Sequence, residues 1–170
     1  MNKTKKLTLL AMLVTLATAL HALELLIPNP LPLPGTKLGL ANVVTLVTLL
    51  QFGFKEGLAV SLLRVLFASF LTGTFLTLNF TMSLAGALLS ALVMGLLYYN
   101  IKSFSILGIS VAGAVVHNIA QLAIAFFATE TPGIFFYLPF LLLIGVPVGL
   151  LTGAIAGNVY KHLKNLNILH

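Results

Sequence analysis

The chain contains no aspartate and no cysteine, and its only acidic residues are Glu24, Glu56 and Glu130. Without cysteine there is neither a disulfide framework nor a thiolate metal site. Without aspartate, and with three scattered glutamates, it lacks the carboxylate clusters that hard cations require as oxygen ligands. No metal or cofactor site is expected. There is also no P-loop, no Ser-His-acid arrangement with an orienting group and no paired-carboxylate site, so the chain reads as non-enzymatic. Tryptophan is absent, and charged residues make up only 7% of the 170 positions.

What remains is strongly apolar: 59% of residues are hydrophobic and the mean hydropathy is +1.12. That composition defines a polytopic membrane protein, here one integral-membrane domain over residues 1–170. The formal charge of +6 does not signal nucleic acid, because the basic residues stand at the ends of apolar runs, where they mark topology. Spans are expected at residues 7–27, 38–54, 58–76, 82–99, 106–127 and 135–160, giving an all-α bundle of six transmembrane helices. At about 1.5 Å per residue the first run crosses a hydrocarbon core of about 30 Å once, and it is too long for a signal peptide. Lys3, Lys5, Lys6, Lys55, Lys102, Lys161 and Lys164 fall on one side and only Lys37 on the other. Both termini are therefore expected in the cytoplasm, with the chain in the plasma membrane.

Residues 27–46 read I-P-N-P-L-P-L-P-G-T-K-L-G-L-A-N-V-V-T-L. Pro28, Pro30, Pro32 and Pro34 fix φ at alternate positions, which predicts a stiff extended strap on the outer face, either a rigid connector or a loop that covers a ligand. Lys37 and Asn42 follow where helix resumes, and a helix N-terminus suits an anionic or carbonyl-bearing group.

Small residues recur every fourth position in three spans. Gly145, Gly149, Gly153 and Gly157 form one stripe; Ser83, Ala87, Ala91 and Gly95 form a second; Ala11, Thr15 and Ala19 form a weaker third. Each stripe is an internal helix contact or a docking surface for another protein, with internal packing the favoured reading. Polar residues inside the apolar runs are costly and count as candidates for function. His117, Asn118 and Gln121 stand in the middle of the fifth run, as a ligand site or an interhelical hydrogen-bond knot, with His117 and Gln121 on one face. His21 and Glu24 can pair with each other or with Lys37. Arg64 is expected to snorkel to the cytoplasmic headgroups and not to touch a solute. The expected solute site is lined by Lys37, Asn42, Asn79, His117, Asn118 and Gln121.

The segments P-G-T-K-L-G-L-A-N (34–42), F-G-F-K-E with S-L-L-R-V-L (52–66), S-L-A-G (83–86) and H-N-I-A-Q (117–121) resemble a known family across nearly the whole chain. The chain looks like the Gx-transporter branch of the substrate-binding S components of energy-coupling factor transporters, a branch also labelled heptaprenyl diphosphate synthase component I. The resemblance implies six helices that capture a vitamin-like small molecule from outside, working with a transmembrane T component and two ATPase subunits. Related proteins dock the T component through an Ala-x-x-x-Ala stripe in the first helix. The nearest matches here are Ala11, Thr15 and Ala19, and Thr18 with Ala22, a departure from that pattern. The alternative is a non-catalytic membrane partner of a prenyl diphosphate or quinone synthesis enzyme.

Overall fold

The computed structural model describes residues 2–26 and 39–165, and these are all-helical. The elements are α1 (Lys3–Leu26), α2 (Leu40–Phe52), α3 (Phe54–Leu71), α4 (Leu78–Asn100), α5 (Ile106–Thr129), a 3₁₀ turn (Pro132–Tyr137) and α6 (Leu138–Asn165). The proline strap and Lys37 lie outside the described residues.

Among the described residues there are six α-helices, as expected, but only four stretches are long and apolar enough to cross a membrane: Lys3–Glu24, Leu78–Asn100, Ile106–Thr129 and Pro132–Asn165. The other two differ for distinct reasons. With 13 residues, α2 is about 20 Å long and falls short of a hydrocarbon core on its own. By contrast α3 has the length, 18 residues, but carries Lys55, Glu56 and Arg64. Gly53 is the single residue between them, and its φ of 117° is a conformation open to glycine and strained for any side chain. The chain thereby reverses in one residue, so that α3 runs back along α2.

Around this hairpin, α1 packs on both α2 and α3, α4 lies between α3 and α5, and α6 closes the ring by packing on α5 and α2. Surrounded on all sides, α2 has nine buried residues, from Ala41 to Leu50. One apolar cluster joins Leu46, Leu49, Met94, Ile109 and Ala156. A second joins Met82, Leu122, Ile134 and Leu141 near the other end of the bundle.

Contacts between helix ends fix which termini lie together. Lys6 pairs with Glu56, the Phe54 ring fills the space over Gly95, and Gly157 lies over Ile106. The lysines at the start of α1, the start of α3, the α4–α5 turn and the end of α6 therefore share one end of the bundle, as the sequence reading requires.

The glycine stripe of α6 is an internal contact. A Cβ on Gly149 would stand 2.6 Å from the Cα of Val111 and one on Gly153 2.8 Å from Ser110 Cβ, so α5 and α6 touch backbone to backbone. Ser110 and Thr152 share a 2.9 Å hydrogen bond across the same seam. The stripe on α4 is internal too: Ala87 and Ala91 are fully buried, and Ser61 of α3 donates to the Ala87 carbonyl at 2.9 Å. The stripe on α1 is the exception, because Ala11, Thr15 and Ala19 are exposed.

Candidate functional site

Polar side chains from five helices meet between the middle of the bundle and the end opposite the lysines. At the C-terminal end of α1, His21 is buried, and Glu24, one turn on, accepts a hydrogen bond from the Leu40 N–H at the start of α2. The residue before α2 is Gly39, which has no side chain to cap the helix, so Glu24 supplies the missing acceptor and places its charge at the positive end of the helix dipole. Asn42, one turn into α2, accepts from Arg64 Nη2 at 2.6 Å. A guanidinium only donates, so the Asn42 oxygen must face it and the Asn42 amide nitrogen points elsewhere.

This overturns the expectation that Arg64 snorkels. Asn42 and Arg64 lie eleven residues before and after Gly53, so the α2–α3 hairpin brings them level. Arg64 is then about 15 Å along α3, too deep to reach the headgroups. It is 3% exposed, and its Nε has no hydrogen-bond partner among the described residues.

On α5, His117 and Gln121 face α4, as their spacing predicts. Gly86 is what lets them in, since a Cβ there would lie 2.9 Å from the His117 ring and 3.0 Å from Gln121 Cγ. Gln121 is 1% exposed, and neither its amide oxygen nor its nitrogen has a partner among the described residues. Leaving such a group unsatisfied costs about 1–3 kcal/mol. Asn118 turns toward α6, donates to the Leu141 carbonyl at 3.0 Å and occupies the space that Gly145 leaves. It therefore ties helices together as well as bordering the site.

Two small cavities lie among these groups. His21, Glu24, Gly39, Asn42, Arg64, Ser83 and His117 line the first, of about 10 Å³. Asn42 and His117 also border the second, again about 10 Å³, together with Asn118 and Gly145. Each has room for about one water. Of the expected site residues, the structure brings Asn42, His117 and Asn118 onto these cavities. Gln121 is one turn beyond His117. Asn79 is exposed in the first turn of α4 and borders neither cavity. Sequence reasoning missed Arg64, Ser83, Gly39, Gly86 and Gly145 as site-forming. The depth of Arg64 within its apolar run was the available signal.

The three glutamates are far apart in role. Glu24 caps α2, Glu56 pairs with Lys6, and Glu130 takes a left-handed conformation at the end of α5. They do not converge on a carboxylate site. On the outside of the bundle, α1 and α3 border an open apolar groove of about 910 Å³, lined by Ala11, Thr15 and Ala19 with Leu63, Phe67 and Phe70, and ending at Lys55 and Glu56.

A six-helix bundle with four membrane-length helices and an interior polar cluster is the setting in which the comparison with known families falls. The family model for heptaprenyl diphosphate synthase component I matches residues 13–159, and the chain belongs to that family. No curated protein and no solved structure matches it.

Proposed function

We propose that the chain is a solute-capturing membrane subunit of the S-component type, taking up a small vitamin-like or precursor molecule from outside for transport driven by a T component and two ATPases. One observation carries this reading. Five helices contribute polar groups to the bundle interior, where such groups are costly, and the Gln121 amide and Arg64 Nε find no partner among the described residues. An arrangement kept only for stability would satisfy those groups within the protein. A solute with its own donors and acceptors satisfies them instead once the helices part to admit it, since each cavity as it stands holds about one water. We place the chain in the plasma membrane with its lysine-rich end cytoplasmic. We assign the exposed Ala11, Thr15 and Ala19 face, with the groove beside it, to the T component.

The second reading is a non-catalytic membrane partner of a prenyl diphosphate or quinone synthesis enzyme, favoured by the family description, which names a synthase component. Affinity-tagging the chain in its native host and purifying it in mild detergent separates the two. Copurifying subunits that hydrolyse ATP support capture, whereas a copurifying prenyltransferase without ATPase subunits supports the second reading and overturns the first.

A further inference from the structure

We infer that the captured solute carries a single carboxylate, and that Arg64 binds it; this rests on the solute-capture reading above. The cavity beside Arg64 is lined by His21, Glu24, Gly39, Asn42, Ser83 and His117. The Asn42 oxygen is taken by Arg64, which leaves the Asn42 amide nitrogen, and that nitrogen lies 3.4 Å from where a Gly39 Cβ would stand, at the cavity wall. Glu24 accepts the Leu40 N–H. Arg64 Nε–H is nine-tenths buried or more and has no acceptor among the described residues. Arg64 Nε–H and the Asn42 amide are donors that call for an acceptor at this end of the cavity, and an ionised carboxylate is an acceptor-only group whose two oxygens match the guanidinium fork.

Charge leads to the same class of ligand. Among the described residues the charged side chains on this cavity are Arg64 and Glu24. Glu24 is held at the N-terminus of α2, where the helix dipole places roughly half a positive charge, so its charge offsets that of Arg64 only in part. The surplus is about half a positive charge, so a monoanion leaves only about half a negative charge unbalanced. A phosphate dianion would put two negative charges beside Glu24, and burying unbalanced charge is costly.

The test uses the purified full-length protein in detergent and the small molecules of a protein-free rich growth medium. These are split on an anion exchanger into a retained fraction and a flow-through. Thermal unfolding is read with each. The retained fraction should raise Tm and the flow-through should not. Amidation of its carboxylates with carbodiimide and ammonia should abolish the effect, and phosphatase treatment should leave it intact. Arg64→Gln should need at least tenfold more of the retained fraction, with Arg64→Lys in between. Stabilisation by the flow-through alone, survival of the effect after amidation, or its loss to phosphatase each overturns the carboxylate assignment while leaving solute capture standing. If neither fraction shifts Tm, the capture reading falls and this inference with it. The arms with the unaltered protein decide the matter even if the Arg64 variants fail to fold.

Discussion

Substituting alanine at each glycine of the α6 stripe should give a graded series fixed by what each new methyl meets. At Gly149 it meets the Val111 backbone at 2.6 Å and the Ala114 Cβ at 3.2 Å. Carbon atoms rest at about 3.5–4.0 Å, so α5 and α6 must separate by about 1 Å, and a gap of that size forfeits a quarter to a half of each dispersion contact along the seam. The same movement stretches the Ser110–Thr152 and Asn118–Leu141 hydrogen bonds, 2.9 and 3.0 Å long. Overpacking of this kind costs about 1–3 kcal/mol. At about 2–4 °C per kcal/mol for a chain of this size, Gly149→Ala should lower Tm by about 2–12 °C. Gly153→Ala meets Ser110 Cβ at 2.8 Å and the Leu107 backbone at 3.1 Å and should cost nearly as much. Gly145→Ala meets the end of the Asn118 side chain at 2.8 Å, which can swing away, so it should lose little more than one hydrogen bond. Gly157→Ala, with its nearest neighbour at 3.8 Å, should be neutral or slightly stabilising, since alanine favours helix. Lacking tryptophan, the protein is best followed by circular dichroism or by size-exclusion after heating. Equal losses at Gly149 and Gly157 would refute the claim that backbone contact, and not glycine content, sets the seam.

Three further outcomes follow from the site and its surroundings. Gln121→Leu removes two unsatisfied buried polar atoms, so Tm in detergent should hold or rise while affinity for the solute falls about 5- to 150-fold, from a loss of about 1–3 kcal/mol; a parallel fall in both would make Gln121 a structural residue. Thr15→Trp, on the exposed face of α1, should leave Tm unchanged and abolish copurification of ATPase subunits; retained copurification would move the docking surface elsewhere. The Lys6 ammonium holds the Glu56 carboxyl below the usual carboxylate range, so the pair stabilises the fold above the unfolded pKa of Glu56, and that contribution fades as pH falls through its lower folded value. Because the pair is partly exposed it should be worth under about 1 kcal/mol. Lys6→Met should therefore lower Tm by a few degrees at neutral pH and not at all in acid; a difference that persists in acid would assign the loss to packing.

The parts legible in the sequence were those that depend on local pattern. The apolar runs of α4, α5 and α6 match the helices to within five residues at each end, because hydropathy over about twenty positions outweighs any single residue. The start of α3 is hidden in the sequence because Lys55 and Glu56 look like loop; Gly53 lets a helix begin at once, and an acidic residue favours a helix's first turn. Asn42, His117 and Asn118 were found because a polar group in an apolar run stands out whatever it touches. The inward facing of Arg64 is illegible because hydropathy gives depth and not facing, and its partner Asn42 is 22 residues away. The exposure of Asn79 was illegible for the same reason, because topology assigns an end of the bundle but not which side of a helix faces inward. The glycines at positions 86 and 145 act only through residues on other helices, so their role appears once α4, α5 and α6 are assembled.

The central claim, that the interior polar cluster captures a solute, is tested most directly by a mass-spectrometric inventory of small molecules released on denaturing the detergent-purified protein, compared with Gln121→Leu prepared in parallel. The account predicts one small molecule approaching one per chain from the unaltered protein and a clear loss of it from the variant. An equal yield from both, or none from either, would contradict it.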